Sequence, residues 1–289
     1  MVRILVTGSA GQVAQAMADL AGPDVEVVVQ GRPVLDITDR SSIDRAIADV
    51  RPDIVVNAAA YTAVDKAESE EAEAFAVNAT GAGNVAAASA AADLPVIHIS
   101  TDYVFAGDKA TPYVEADATG PQGAYGRSKL AGEEAVADAN PQHVILRTAW
   151  VYGPYGNNFL KTMLRLAETR DVLRVVADQR GTPTYAPDIA LGILAVARQM
   201  LYAPGAQVGV FHMVAEGETN WAGFASEIFA RSRETGGSYA DVEPITTADY
   251  PTPAVRPANS RLETAKFRLA FGHALPRWQD GVARCLKAL

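Results

Sequence analysis

The opening stretch "RILVTGSAGQVAQAMADLA" restricts the fold of this chain more than any other segment. A short apolar run closes at Gly8, and from Gln12 the apolar residues recur at helical spacing, so a strand, a tight turn and a helix follow one another directly. Gly8 lets the chain turn sharply, Gly11 lets the backbone approach a pyrophosphate, and the small Ala14 lets the helix lie close on the strand. Free N–H groups at the start of such a helix suit an anion. The turn residues Ser9, Ala10, Gln12 and Val13 are therefore candidates, with Gly8 and Gly11, for holding a dinucleotide.

The alternation continues. "VEVVV" at 25–29, "DIVVNAAA" from Asp53 and "PVIHIS" at 95–100 read as strands. Between them lie helical patterns over Ser41–Asp49 and Glu70–Ala92, and a further helix begins near Tyr125 and leads into "HVILRTAWVYG". Short apolar strands alternating with helices predict right-handed crossovers on a parallel sheet. The expectation is a doubly wound, mostly parallel α/β domain of Rossmann type over residues 1–153, and a smaller C-terminal lobe over 154–289. A segment near 187–215 is expected to return to the sheet. The stretch "DVEPITTADYPTPAVRPANSRL" reads as proline-spaced irregular chain before one final helix.

Composition narrows the partners. Lys and Arg total 25 against 34 Asp and Glu, a formal charge of -9, and no stretch gathers the basic and aromatic residues a nucleic acid backbone requires. The lone Cys285 cannot form an internal disulfide and suits a reducing compartment. "MVRILVTG" breaks the apolar run a signal peptide would need, and charges interrupt the Ala-rich stretches, so the reading is a cytoplasmic protein with no membrane span.

Cofactor choice is read after the second strand, where Gln30, Gly31 and Arg32 stand in place of the carboxylate that would hold a ribose diol. Without that acid a 2'-phosphate is not repelled, and Arg32 could pair with it or simply be solvated. The reading favours NADPH and leaves NADH open. Asp36, beside Ile37 and after a short expected third strand, could accept from the adenine amino group. Further along, "GAYGRSKLAGEE" puts Tyr125 and Lys129 four residues apart on one helix face. A lysine ammonium beside a phenol stabilises the phenolate, which makes the tyrosine a usable acid. "HISTDYVFAG" adds Ser100 and Thr101 at the carboxyl end of a central strand, where open sheets bind ligands. Together these predict a ketone reduction in which Tyr125 gives the proton, Thr101 donates to the same oxygen and Lys129 holds the cofactor ribose.

The chain resembles the extended short-chain dehydrogenase/reductase superfamily and, within it, the dTDP-4-dehydrorhamnose reductase family. The resemblance is carried by "TGSAGQVA" at 7–14, "NAAAYTAVDKAE" at 57–68, "STDYVF" at 100–105, "YGRSKLAGE" at 125–133, "GTPT" at 181–184 and "RPANSRL" at 256–262, and it spans nearly the whole chain. It implies NADPH-dependent reduction of the C4 ketone of dTDP-4-dehydro-L-rhamnose to dTDP-L-rhamnose. The backbone and small side chains of Ala58, Ala59, Ala60 and Tyr61 would line the cofactor, with Ser100 nearby. Thr101, Asp102 and Trp150 would face the dTDP-sugar, although a core position for Trp150 stays open. Asn78 would support a proton relay or make an ordinary helix hydrogen bond. Arg256, with Asn259 and Ser260 nearby, would contact the diphosphate or form an interdomain salt bridge. The resemblance also allows a homodimer, and magnesium at its contact, but no acidic spacing locates either. An internal-redox epimerase, or a noncatalytic subunit that kept the fold, would share these motifs. Ala14 departs from the glycine many members carry.

Overall fold

The computed structural model describes residues 1–203, 205 and 207–289. Its centre is a six-stranded, all-parallel sheet. β1 (Val2–Thr7) pairs with β2 (Val25–Gln30) on one side and β3 (Ile54–Asn57) on the other, followed by β4 (Val96–Thr101) and β5 (His143–Thr148). Parallel strands need a covered crossover, so both sheet faces are apolar and successive residues serve opposite cores. Ile4 and Val6 face the helix α1 (Gln12–Ala18), while Leu5 between them faces α2 (Arg40–Val50).

The second face also carries the Ala-rich stretch. It comprises the short helices α3 (Val64–Ala67) and α4 (Glu71–Phe75), then a wide π turn at Ala76–Gly81, then α5 (Ala82–Ala91). Beside it lies α6 (Ala124–Ala139), the helix of Tyr125 and Lys129. Gly132 brings α6 against the π turn, since a β-carbon there would fall 2.0 Å from the Asn78 carbonyl oxygen. One continuous helix was expected over Glu70–Ala92, and the π turn is the difference. Such turns occur where a side chain is re-aimed, here that of Asn78.

After β5 come β6 (Val151–Tyr152), α7 (Phe159–Ala167), β7 (Val172–Val176), β8 (Arg180–Gly181) and β9 (Thr184–Tyr185). The helix α8 (Ala186–Tyr202) then packs beside α1, and β10 (Gly209–His212) joins the sheet next to β5. The remaining chain forms β11 (Thr219–Asn220), α9 (Trp221–Glu234), β12 (Asp241–Ile245), α10 (Ala265–Phe271) and α11 (Trp278–Ala288). A second core, centred on Phe224, Ile228, Trp278 and Val282, joins α9 and α11 to the β7–β12 ribbon.

Three local expectations change. "DVEPI" is a strand rather than irregular chain, because a two-stranded ribbon has an open edge that tolerates Pro244 without an N–H. The final helix is two helices, split where Gly272 takes a left-handed cap with φ 60°. The short third strand expected just before Asp36 is not formed; residues 31–39 are turns and irregular chain.

Candidate active site

Eleven of the expected cofactor residues line one cleft of about 300 Å³ at the carboxyl ends of β1, β2 and β3. The turn from Gly8 to Gly11 forms one wall. Gly31, Arg32, Asp36 and Ile37 form the second, and Ala58, Ala59 and Ala60 the third. Thr62, Leu35 and Val77 complete it; the sequence reading did not single these out. Gly8 has φ 90°, and a β-carbon there would come 2.8 Å from Ala59 Cα, so this wall is backbone by necessity. A cradle that a single methyl would close, floored by alanines and with an exposed arginine at its rim, fits a dinucleotide. Asp36 spends one carboxylate oxygen on Thr38 N–H and Oγ1 at 2.9 and 2.8 Å, which holds its pKa below the usual value.

The side chains of four expected cofactor residues lie outside the lining of this cleft. Val13 is buried in the core beneath α1. Gln12 donates to the Val151 carbonyl and accepts from Asn158, tying the first turn to the β5–α7 connection. Tyr61 presents its backbone to Asn78, and its hydroxyl bonds Glu70. Ser100 is turned by strand alternation away from the cleft and donates to Glu133, itself in a buried bidentate pair with Arg147.

Thr101 ends β4, and the chain then enters a single 3₁₀ turn at Asp102–Val104. Tyr125 begins α6 against it, its ring 5.4 Å edge-on from that of Tyr103. The start of α6 is fixed by Glu68, whose Oε1 accepts from Ala124 N–H at 2.9 Å, and by an Arg127–Glu71 ion pair. Asn78 binds the neighbouring segments together. It accepts from Tyr61 N–H at 2.8 Å and donates to Ser128 Oγ at 2.9 Å, and Ser128 donates in turn to the Tyr125 carbonyl.

Desolvation has the largest effect on the Tyr125 phenol. Its phenol is pushed up by desolvation and drawn down by the Thr101 hydroxyl; Asp102 and Tyr103 push it further up. Lys129 is buried, with Nζ 2.7 Å from the Ile99 carbonyl and 3.2 Å from His98 Nε2. Desolvation lowers it to about 8 despite Glu133 one turn along. Asp102 is buried as well. One oxygen accepts from Thr101 at 3.0 Å; the other makes no well-formed hydrogen bond, although the Ser260 hydroxyl lies close by, and desolvation raises the group to about 6 against the pull of both hydroxyls. An orphaned buried carboxylate oxygen calls for a donor.

Trp150 stands at the far side. Its backbone has φ 49°, and its ring stacks on Trp221 with centroids 3.7 Å apart. Gly181 leaves that space, since a β-carbon there would fall 2.5 Å from the indole. Trp221 was not foreseen; only its place at the start of α9 hinted at it. Arg256 donates to Asp65 at 2.6 Å and to the Tyr103 hydroxyl at 3.1 Å, forming the salt bridge that the sequence left as one alternative. Asn259 spends its amide on the Lys109 and Thr111 carbonyls and on Arg261, so it acts as a strut within its loop. Among the described residues, no three His, Cys, Asp or Glu side chains gather to hold a metal ion, and no helix is long and apolar enough to cross a membrane.

A parallel sheet with a glycine-turn cleft, and a Thr, Tyr and Lys set at the end of its fourth strand, define an extended short-chain dehydrogenase/reductase. The sequence pattern of the RmlD substrate binding domain matches residues 2–289. A dTDP-4-dehydrorhamnose reductase of Sinorhizobium fredii is 53% identical over 289 residues, covering 100% of this chain and 98% of the relative. The crystal structure of a dTDP-4-dehydrorhamnose reductase from Bacillus anthracis in complex with NADP superposes with TM-score 0.93 at 36% identity, covering 100% and 99% of the two chains. That of a Clostridium acetobutylicum dTDP-4-dehydrorhamnose reductase superposes at 0.91 with 40% identity, covering 99% and 98%. The chain belongs to the dTDP-4-dehydrorhamnose reductase family.

Proposed function

We propose that this chain reduces the C4 ketone of dTDP-4-dehydro-L-rhamnose to dTDP-L-rhamnose, with Tyr125 as the proton donor. The observation that carries the reading is the Thr101 hydroxyl beside the half-buried Tyr125 phenol, next to a cleft shaped for a dinucleotide. When bound, NADPH supplies the hydride. The rest is done by side chains of this chain. Burial keeps the Tyr125 proton in place at neutral pH, and an alkoxide forming at C4 is basic enough to take it. Thr101, whose hydroxyl donates to Asp102 at 3.0 Å, turns to the same oxygen and shares its developing charge. The open oxygen of Asp102 accepts from a sugar hydroxyl. Lys129 serves the cofactor ribose.

The sheet and its returning segment carry the cofactor, and the smaller lobe carries the nucleotide sugar. There the Trp150–Trp221 stack offers a flat apolar ledge, and Arg256, steadied by Asp65 and Tyr103, faces the diphosphate. The NADP bound by the Bacillus anthracis relative and the rim position of Arg32 both support the phosphorylated cofactor. A buried single cysteine suits work in the cytoplasm. Incubation with dTDP-4-dehydro-L-rhamnose and NADPH tests the proposal. One NADPH oxidised per dTDP-L-rhamnose seen by NMR is expected, whereas folded protein that gives no turnover, or product without net NADPH oxidation, would refute it.

A further inference from the structure

Parallel sheets of this kind are built from nearly continuous apolar strands, yet a rung across β1, β3 and β4 is polar. Thr7 of β1 lies opposite Asn57 of β3, and Asn57 lies opposite His98 of β4. All three are buried, and each unpaired polar group there would be costly. They form a single chain of hydrogen bonds. Ala59 N–H, on the cofactor wall, donates to Thr7 Oγ1 at 3.2 Å; Thr7 Oγ1 donates to Asn57 Oδ1 at 2.7 Å. Asn57 Nδ2 is 3.0 Å from His98 Nδ1, and His98 Nε2 is 3.2 Å from Lys129 Nζ.

With the Thr7 proton on Asn57 Oδ1, one self-consistent assignment of the other protons follows. Because the Thr7 proton goes to Asn57 Oδ1, the amide nitrogen faces His98 Nδ1, which must accept. The single ring proton of a neutral imidazole then sits on Nε2 and points at Lys129. A lysine that accepts a proton contact is a neutral amine. For Nζ to carry its ammonium proton, the ring proton must move to Nδ1, the Asn57 amide must turn over and the Thr7 hydroxyl must rotate.

We propose that His98 is a positioning residue that sets the charge of Lys129 through the Thr7–Asn57–His98 rung, linking that charge to the backbone of the cofactor wall. The reading rests on Lys129 serving the reaction, but the rung itself can be tested without it. Around Lys129 the titratable groups are Glu133 on α6, paired with Arg147 of β5; His98 from β4; and, toward Tyr125, Asp102 and Tyr103. The π turn contributes only the uncharged Asn78. Burial and the lysine charge hold His98 well below its usual pKa, so it stays neutral while the lysine titrates.

The experiment is an NMR titration of ligand-free protein labelled at lysine Cε, with Lys129→Met used to assign the signal. The parent should titrate near 8. In His98→Gln the side-chain carbonyl is free to face the amine, so the midpoint should rise by about one pH unit, a tenfold change in charged fraction at fixed pH. Thr7→Val, which removes the hydroxyl that orients Asn57, should also raise it, and Thr7→Ser should keep the parent midpoint. The alkaline limb of kcat/KM should move by the same amount. Unmoved midpoints in both His98→Gln and Thr7→Val would overturn the proposal, as would activity lowered equally at every pH. If His98→Gln does not fold, Thr7→Val against Thr7→Ser decides alone.

Discussion

The cofactor cleft and the patch around Tyr125 lie side by side and are built by opposite means. The cleft is made of backbone and small side chains, with an exposed arginine at its rim. The patch is made of buried polar side chains, one of them with an oxygen left unpartnered. The first is shaped to let a ligand come close. The second stores desolvation cost at Asp102, Tyr125 and Lys129, which shifts all three away from their ordinary pKa values. Substitutions in the cleft should therefore act on binding, and those in the patch on chemistry and pH dependence.

The sharpest separation comes from Tyr125→Phe, which removes a single oxygen. Steady-state kinetics should show kcat lower by about 10²–10⁴-fold with NADPH affinity retained; a loss of affinity instead would merge the two regions. Gly8→Ala should do the reverse. Its methyl would meet Ala59 at 2.8 Å with φ at 90°, and NADPH binding measured by fluorescence should weaken on the order of 100-fold, about 2.7 kcal/mol.

Asp102→Asn tests the stored cost. The folded carboxyl, at about 6, lies above its ordinary 3.8, so the native state holds more protons than the unfolded state between those values, and stability falls as pH rises through that window. Denaturant unfolding at pH 8 should find the asparagine variant more stable by about 2–3 kcal/mol, and the gain should vanish near pH 4. Arg32→Ala should have the smallest effect, lowering NADPH efficiency about tenfold while leaving NADH unchanged.

The same contrast explains what could be read from sequence. Gly8 to Gly11, Gly31 to Ile37 and Ala58 to Ala60 are short runs at strand ends, so local pattern and strand order suffice to bring them together. Tyr125 and Thr101 were legible because each sits at an element boundary with a recognisable spacing or neighbour. Ser100 was misplaced because one step along a strand reverses the face, and sequence does not say which face meets Glu133. Trp221 and His98 were missed for a different reason. Their meaning depends on partners more than thirty residues away in sequence or across the sheet: Trp150 and Gln179 for one, Asn57 and Lys129 for the other. The strand at Asp241–Ile245 was hidden by Pro244, and only its ribbon partner at Val172–Val176 reveals it.

Hydride delivery to the sugar is the central claim, and isotope transfer tests it most directly. NADPH carrying deuterium at both C4 positions of its nicotinamide, incubated with dTDP-4-dehydro-L-rhamnose, should give dTDP-L-rhamnose with deuterium at C4 of the sugar and one cofactor consumed per product. Product without deuterium at that carbon would contradict it.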